Sequence, residues 1–102
     1  MDKTCSVNKT LSRISKKWAL LILRELNDNG KKRFSVLVKE MKGISPRTLT
    51  KRLRELEKIG LISRKKFNEI PPRVEYELTK KGKELIKIVN YIELWTKKFK
   101  VK

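Results

Sequence analysis

The segment that most constrains the fold is residues 45–59, because it joins a helix-start signal to a one-sided apolar pattern. Ser45 can cap the free N–H groups of a first helical turn, and Pro46 suits the first helical position. Four apolar residues then recur at helical spacing within about 120° of arc: Leu49, Leu53, Leu56 and Ile59. The opposite arc is polar and basic: Arg47, Thr50, Lys51, Arg54 and Lys58. This pattern predicts a helix that buries one face and exposes a cationic one.

Two apolar segments before this helix predict the elements against which it packs. Residues 18–26 carry apolar side chains on nearly every side, which indicates a centrally buried helix. Residues 34–41 carry a single apolar stripe: Phe34, Leu37, Val38 and Met41. Gly43 then suits a turn that needs a positive φ. The sequence therefore predicts a helix-turn-helix over residues 34–59.

A hairpin is predicted after the helix-turn-helix. Residues 61–67 and 74–78 have the composition and alternation of strands. Between them, Pro71 and Pro72 lack the N–H groups that a strand ladder needs, so they belong at a hairpin tip or in an unpaired arm. A helix-turn-helix followed by a hairpin over residues 61–78 makes a winged helix-turn-helix.

Helices are also predicted at both ends of the chain. Val7, Leu11 and Ile14 indicate a short first helix, and Thr79 can cap a final helix over residues 79–99. The final helix carries a seam with alternating spacings of three and four, as in coiled coils: Leu85, Ile88, Ile92, Trp95 and Phe99. Because these large residues need a cover, we predict a homodimer interface, with folding back onto the same domain as the alternative.

The predicted fold class is mostly α with a small antiparallel β hairpin (α+β), a winged helix-turn-helix with extra N- and C-terminal dimerisation helices. A chain of 102 residues suits one domain over residues 1–102. No apolar run approaches the roughly 20 residues that a membrane span needs, and the N-terminus has no apolar stretch of signal-peptide length. We therefore expect a soluble cytoplasmic protein.

Charge and composition narrow the partner and the class of protein. The chain has 28 Lys and Arg against 11 Asp and Glu, a net charge of +17. This excess favours a polyanionic partner, with nucleic acid ahead of an anionic membrane surface. With no histidine and Cys5 as the one cysteine, neither an internal disulfide nor a Cys/His zinc site can form. Because no catalytic cluster is visible, we predict neither an enzyme nor a cofactor.

The predicted contacts to double-stranded DNA lie on the capped helix and on the hairpin. Arg47 can pair with guanine, the Thr48 methyl can touch thymine, and the free amides after Ser45 favour a phosphate. The full helix set is Ser45, Arg47, Thr48, Thr50, Lys51, Arg54 and Lys58, with Arg54 and Lys58 assigned to phosphates. The wing set is Lys65, Lys66 and Arg73. Arg73, next to the stiff prolines, is the candidate for the minor groove.

The sequence leaves two classes of function open for this protein and disfavours a third. The first is a sequence-specific dimeric transcription regulator, and the second is an architectural or ribosome-associated protein that binds nucleic acid without sequence preference. The third, a membrane-surface protein that uses its basic last helix, is disfavoured because the apolar seam of that helix is so regularly spaced.

Several motifs, taken in chain order, resemble those of a known family. They are Lys17-Trp18, Leu21-Ile22-Leu23-Arg24-Glu25-Leu26, Gly43-Ile44-Ser45, Arg47-Thr48-Leu49-Thr50, Gly60-Leu61-Ile62 and Pro71-Pro72-Arg73-Val74-Glu75-Tyr76. The chain resembles the HxlR family of bacterial and archaeal transcription regulators, and the Pro-Pro-Arg wing followed by Val-Glu-Tyr is the most specific mark. The resemblance implies a homodimer built on the first and last helices, which binds an inverted repeat near a promoter.

Cys5 becomes a candidate redox sensor through the same resemblance, because several family members sense oxidants or electrophiles with a cysteine at this place. Its position at the start of a predicted helix, near Lys3 and Lys9, would favour the thiolate. The alternative is an inert residue. The chain departs from the family at Ser6, where proline is usual, and at Lys16, where glycine usually precedes Lys-Trp.

Overall fold

The computed structural model describes residues 3–100, with the side chains of residues 3–6 and of Asn29 outside the described part. Within this range the elements are, in chain order, α1 (Lys3–Ile14), α2 (Ala19–Asn29), β1 (Lys32–Arg33), α3 (Phe34–Glu40), α4 (Pro46–Lys58), β2 (Ile62–Phe67), β3 (Arg73–Leu78) and α5 (Lys80–Lys98). The predicted fold class, a mostly helical winged helix-turn-helix with extra helices at both ends, is confirmed. None of the helices in this range is long and apolar enough to cross a membrane.

The centre of the core is α2, as its all-round apolar pattern predicts. Ala19, Ile22, Leu23 and Leu26 are all buried, and α2 packs against α4, α5 and β3. The buried apolar residues of the other elements join this helix in one cluster. Because α4, α5 and β3 all pack on α2, this helix fixes their positions relative to one another.

The helix-turn-helix consists of α3 and α4, which lie where the two apolar stripes predict helices. Gly43 in the turn has a φ of +93°, a backbone conformation that side chains with a Cβ rarely adopt. A Cβ there would also lie 3.4 Å from Cη2 of Trp18. Ile44 follows, buried between the two helices. The glycine turn and the buried isoleucine together set the path from α3 into α4.

The hairpin that the sequence predicts is present and gains a third strand. β2 and β3 pair antiparallel from Ile62 opposite Leu78 to Phe67 opposite Arg73. The two-residue β1 pairs with the other edge of β3, which gives the order β1-β3-β2. Sequence patterning missed β1 because two residues are too few to show an alternation.

The last helix is fastened to the start of the hairpin. The Thr79 hydroxyl accepts from the N–H of Gly82 at 3.1 Å and donates to the carbonyl of Gly60 at 2.6 Å. Gly82 is buried, and a Cβ there would lie 2.1 Å from the carbonyl oxygen of Leu61. The predicted cap is therefore present, and glycine allows α5 to pass close to the backbone of the wing.

Candidate nucleic-acid interface

The start of α4 is built as a capped and exposed helix terminus. The Ser45 hydroxyl accepts from the backbone N–H of Thr48 at 3.1 Å and donates to the Thr48 hydroxyl at 2.9 Å. The Thr50 hydroxyl donates to the Pro46 carbonyl at 2.9 Å. The Ser45 cap stabilises the first turn of the helix, so the exposed cations beside it are held on a well-formed backbone.

Four basic residues of α4 point away from the core: Arg47, Lys51, Arg54 and Lys58. None of them forms an ion pair with a side chain in the described part of the chain. Leu49, Leu53 and Leu56 on the other side of the helix are fully buried. The structure therefore divides α4 into an apolar anchor and a face of unpaired positive charge, as the sequence predicts.

The inner side of α4 is braced against the turn between α1 and α2. Lys16 donates to Glu55 at 3.0 Å, and Arg52 donates to the same carboxylate at 2.9 Å and to the carbonyl of Lys17 at 3.0 Å. The hydrogen bond from Lys16 holds the pKa of Glu55 below its usual value of 4.5, against the opposing effect of burial. This network joins the candidate DNA-binding helix to the turn that follows the first helix.

The basic residues of the wing differ in exposure. Lys65 and Lys66 are exposed on β2, and the Lys65 ammonium lies 5.1 Å from the centre of the Phe67 ring. The Arg73 guanidinium lies 4.0 Å from the centre of the Phe67 ring and 3.4 Å from the carboxylates of both Glu69 and Glu75. Arg73 therefore sits behind the hairpin tip and makes contacts within the wing.

A cavity of about 740 Å³ separates α4 from the wing. Its lining includes four arginines from four different elements: Arg33, Arg54, Arg64 and Arg73. Arg33 and Arg64 are absent from the contacts that the sequence predicts. Pairing of β1 with β3 places Arg33 opposite Glu75, an arrangement that only the tertiary fold reveals.

A buried lysine supports this side of the molecule. Lys32 is only 5% exposed, and its ammonium donates to Glu25 at 3.2 Å and to Glu40. Burial would lower the pKa of Lys32, but the hydrogen bonds to Glu40 and Glu25 outweigh it, and the pKa lies above 10.5. The same contact lowers the pKa of Glu40. Lys32 thus ties β1 to α2 and α3.

A second surface, on α5 and α1, is apolar. Exposed large residues on these helices are Val7, Leu11, Ile88, Tyr91, Ile92, Leu94, Trp95 and Phe99. The predicted seam is exposed except at Leu85, which is partly buried against the core of its own chain. Trp95 and Phe99 contact each other with ring centres 5.2 Å apart. Tyr91 and Leu94 were missed, because a strict seam excludes the flanking positions.

Two smaller points complete the placement of the predicted residues. Cys5 belongs to α1 by its backbone, and its side chain lies outside the described residues. Among the residues that the structure describes, no group of three or more histidine, cysteine or carboxylate side chains is arranged to hold a metal ion.

A profile of the family described as HxlR-like helix-turn-helix matches residues 13–102. The chain belongs to this family. An HTH-type transcriptional regulator of Methanothermobacter thermautotrophicus is 46% identical over 95 residues, which cover 93% of this chain and 72% of the relative. The HxlR-like relatives found among curated proteins are helix-turn-helix transcriptional regulators.

Solved structures support the same assignment. A regulator of the MarR family from Enterococcus faecalis V583 is 45% identical, with a TM-score of 0.84 over 97% of this chain and 89% of that one. The redox regulator HypR in its oxidised form is 38% identical, with a TM-score of 0.81 over 92% of this chain and 96% of that one. The HxlR-like chain therefore shares its winged-helix fold with transcriptional regulators.

Proposed function

We propose that the protein is a homodimeric, sequence-specific DNA-binding transcription regulator that recognises an inverted-repeat operator. The observation that carries the proposal is the cationic face of α4, which forms no ion pair with the described side chains and lies across an arginine-lined cavity from a basic wing. Membership of a family of transcriptional regulators supports a regulatory rather than a catalytic role. We further propose that residues 1–102 act as one domain and that the protein works in the cytoplasm, where such regulators meet DNA.

In the proposed complex, α4 enters the major groove with its first turns at the base edges. Arg47, Thr48 and Lys51 read bases, because they lie on the exposed side of the capped terminus. Arg54 and Lys58, farther along the helix, contact phosphates. Ser45 contributes by capping the helix start, next to the free amides of its first turn, and Thr50 contributes from the wall of the cavity that faces the wing.

The cavity between α4 and the wing is the proposed path of one DNA strand. A backbone that passes from the major to the minor groove would meet Arg33, Arg54 and Arg64 there. Lys66, on the same face of β2 as Arg64, and Lys65, on the opposite face, are both exposed and would reach neighbouring phosphates. Since most of the affinity for DNA is electrostatic, these residues supply binding strength and α4 supplies selectivity.

The proposed dimer uses the apolar surface of α1 and α5. Its exposed residues form a contiguous series along α5, more than a monomer of this size normally leaves in water. The interface set is Leu85, Ile88, Ile92, Trp95 and Phe99, with Leu85 at its inner edge. A two-fold dimer places two α4 helices in successive major grooves, which is why an inverted repeat is the expected operator.

Sedimentation velocity at micromolar concentration tests the dimer. The wild-type protein should sediment as a dimer, and Trp95→Glu and Ile92→Glu should sediment as folded monomers. Lys83→Glu, an exposed change on the side of α5 away from the apolar seam, is the matched control and should stay dimeric. A monomeric wild type would contradict the proposed interface.

Selection of bound duplexes from a random pool, followed by competition binding, tests sequence specificity. The selected duplex should contain two related half-sites and should bind at least about a thousandfold more tightly than random DNA at near-physiological salt. A protein that merely binds polyanions would show almost no preference and a steep salt dependence. That outcome would favour the architectural or ribosome-associated alternative.

We also propose Cys5 as the residue through which oxidants regulate binding. Support comes from the similarity to HypR, a redox regulator. Diamide should weaken or strengthen operator binding of the wild type and leave Cys5→Ser unaffected. If both proteins respond equally to diamide, Cys5 is not the sensor.

A further inference from the structure

The tip of the wing carries a fully exposed apolar side chain. The strand ladder ends before residues 68–72, which project beyond the sheet. Ile70 in this loop is 102% exposed, and Pro71 and Pro72 beside it are exposed as well. The wing packs its other isoleucine, Ile62, fully into the core. An isoleucine left entirely in water has much to gain from a surface that covers it.

The cation that follows the tip in sequence makes its contacts within the hairpin. Arg73 lies between the Phe67 ring and the carboxylates of Glu69 and Glu75, and its side chain is only 23% exposed. Its Nε is buried and makes no hydrogen bond among the described residues, so ion pairs at 3.4 Å and the ring contact hold the guanidinium. Glu69, the half-exposed acidic residue of the loop, is paired with the same guanidinium. The fully exposed part of the tip is therefore apolar.

The tip lies on the same side of the molecule as the exposed face of α4. Ile70, Pro71 and Pro72 line the cavity of about 740 Å³ whose opposite wall includes Thr50 and Arg54. A duplex seated on α4 would therefore extend under the wing tip. This shared cavity favours DNA over another protein as the surface that covers Ile70.

We propose that Ile70 inserts its side chain into the minor groove of the operator and that Arg73 is a positioning residue that stiffens the tip. The inference rests on the proposed function and deepens it. Ile70 thereby takes the place of Arg73, the residue for which the sequence predicts a minor-groove contact. The partner of the wing tip is thus the minor groove of the same DNA duplex that α4 reads.

The chemistry of the minor groove suits such a contact. Its walls are deoxyribose C–H groups, and isoleucine and proline are among the side chains that proteins wedge there to bend a duplex. Pro71 and Pro72 have fixed φ angles, so the loop presents Ile70 with little freedom to lose on binding. Bases under the tip would be selected by how easily their steps deform, as pyrimidine–purine steps do.

The test compares Ile70→Ser with the conservative Ile70→Leu, using the duplex enriched by selection and a random duplex of equal length. Fluorophores at both duplex ends report bending by energy transfer. Ile70→Ser should weaken binding to the selected duplex about tenfold or more and reduce bending. It should change affinity for random DNA less than twofold and leave the melting temperature unchanged. Ile70→Leu should keep both affinity and bending.

Three results would overturn the proposal. If the wild type discriminates the selected duplex but Ile70→Ser binds and bends it equally well, the wedge is wrong and the proposed function stands. If Ile70→Ser changes sedimentation and not DNA binding, the tip contacts a second copy of the chain. If the wild type shows no preference over random DNA, the proposed function and the wedge fail together.

The salt dependence of binding distinguishes a positioning role of Arg73 from direct contact with the DNA. Arg73→Gln removes the charge and should weaken operator binding without changing the slope of log K against log salt, because a positioning residue releases no counterions. Direct contact with the DNA would lower that slope by about one. The double variant Ile70→Ser, Arg73→Gln should bind little worse than Ile70→Ser alone. Additive losses would show that Arg73 acts independently of the tip.

Discussion

The helix α4 and the wing carry positive charge in opposite ways. α4 is anchored by leucines in the core and leaves Arg47 and Arg54 without ion pairs among the described residues. The wing tip projects beyond the core, and its Arg73 is held by Phe67 and two carboxylates. An element that the core already orders can leave its cations for a ligand, whereas a projecting element needs some of them to hold its own shape.

The first way to break this comparison is to remove the core anchor of α4. Leu53→Ala should lower the free energy of unfolding by about 2–5 kcal/mol, because Leu53 is fully buried and leaves a cavity. Phe67→Ala, on the half-buried wing, should cost about 1 kcal/mol. Urea unfolding monitored by circular dichroism measures both. Equal losses would mean that the wing depends on the core as much as α4 does.

The second prediction concerns base reading by α4. Arg47→Ala should cost about 1–3 kcal/mol of operator binding and relax the preference at one base position, as expected for a direct base contact. Lys66→Ala on the wing should weaken all sequences alike and reduce the salt slope by about one. Titrations against single-base variants of the operator at several salt concentrations measure both effects. A uniform loss for Arg47→Ala would assign Arg47 to a phosphate.

The contrast between α4 and the wing also shows what the sequence can predict. The helix limits near Ser45 and Thr79 follow from capping chemistry and apolar spacing, both of which act within a few residues. Both predicted caps are present in the structure. The engagement of Arg73 depends on cross-strand pairing with Phe67, and the position of Arg33 depends on a strand of two residues. Such long-range placements leave no periodic trace in the sequence.

The same reasoning explains the incomplete prediction of the apolar surface. Heptad spacing identifies Ile92 and Trp95, but exposure depends on which side of α5 the core covers. The buried residues Gly82 and Ile86 set that rotation, and an exposed ion pair between Arg24 and Glu93, at 2.7 Å, also joins α5 to α2. Leu85 consequently turns partly toward its own core, and Tyr91 faces solvent.

The third prediction tests the cap that orders the start of α4. Ser45→Ala should lower the free energy of unfolding by about 1 kcal/mol, because the amide of Thr48 loses its acceptor. Ser45→Gly should lower the free energy of unfolding by only a few tenths of a kcal/mol, because glycine is tolerated at the first position of a helix cap. Thermal unfolding of both variants measures the difference. If Ser45→Ala were as stable as the wild type, the hydroxyl would not stabilise the terminus.

The smallest expected effect on stability concerns the ion pairs of Glu55 that hold α4 against the turn between α1 and α2. Glu55→Gln removes the ion pairs to Lys16 and Arg52 and should cost less than about 1 kcal/mol at neutral pH, because both ends are partly exposed. The pKa of Glu55 is lower in the folded state than its usual 4.5, so the unfolded chain binds the proton more tightly. The stabilisation is therefore present above pH 4.5 and is lost as the pH falls through the lower folded value.

This pH dependence distinguishes the ion pairs of Glu55 with Lys16 and Arg52, here called the brace, from a general effect of charge on α4. Glu57→Gln is the matched control, since Glu57 lies on the same helix and forms no ion pair with the described side chains. The stability difference between wild type and Glu55→Gln should shrink toward zero in acid, whereas Glu57→Gln should stay close to wild type in the melting temperature throughout. If Glu55→Gln also weakens operator binding at neutral pH without altering the salt slope, the brace positions the helix that reads DNA. A changed slope would instead mean that the lost carboxylate acts directly on the field that the DNA encounters.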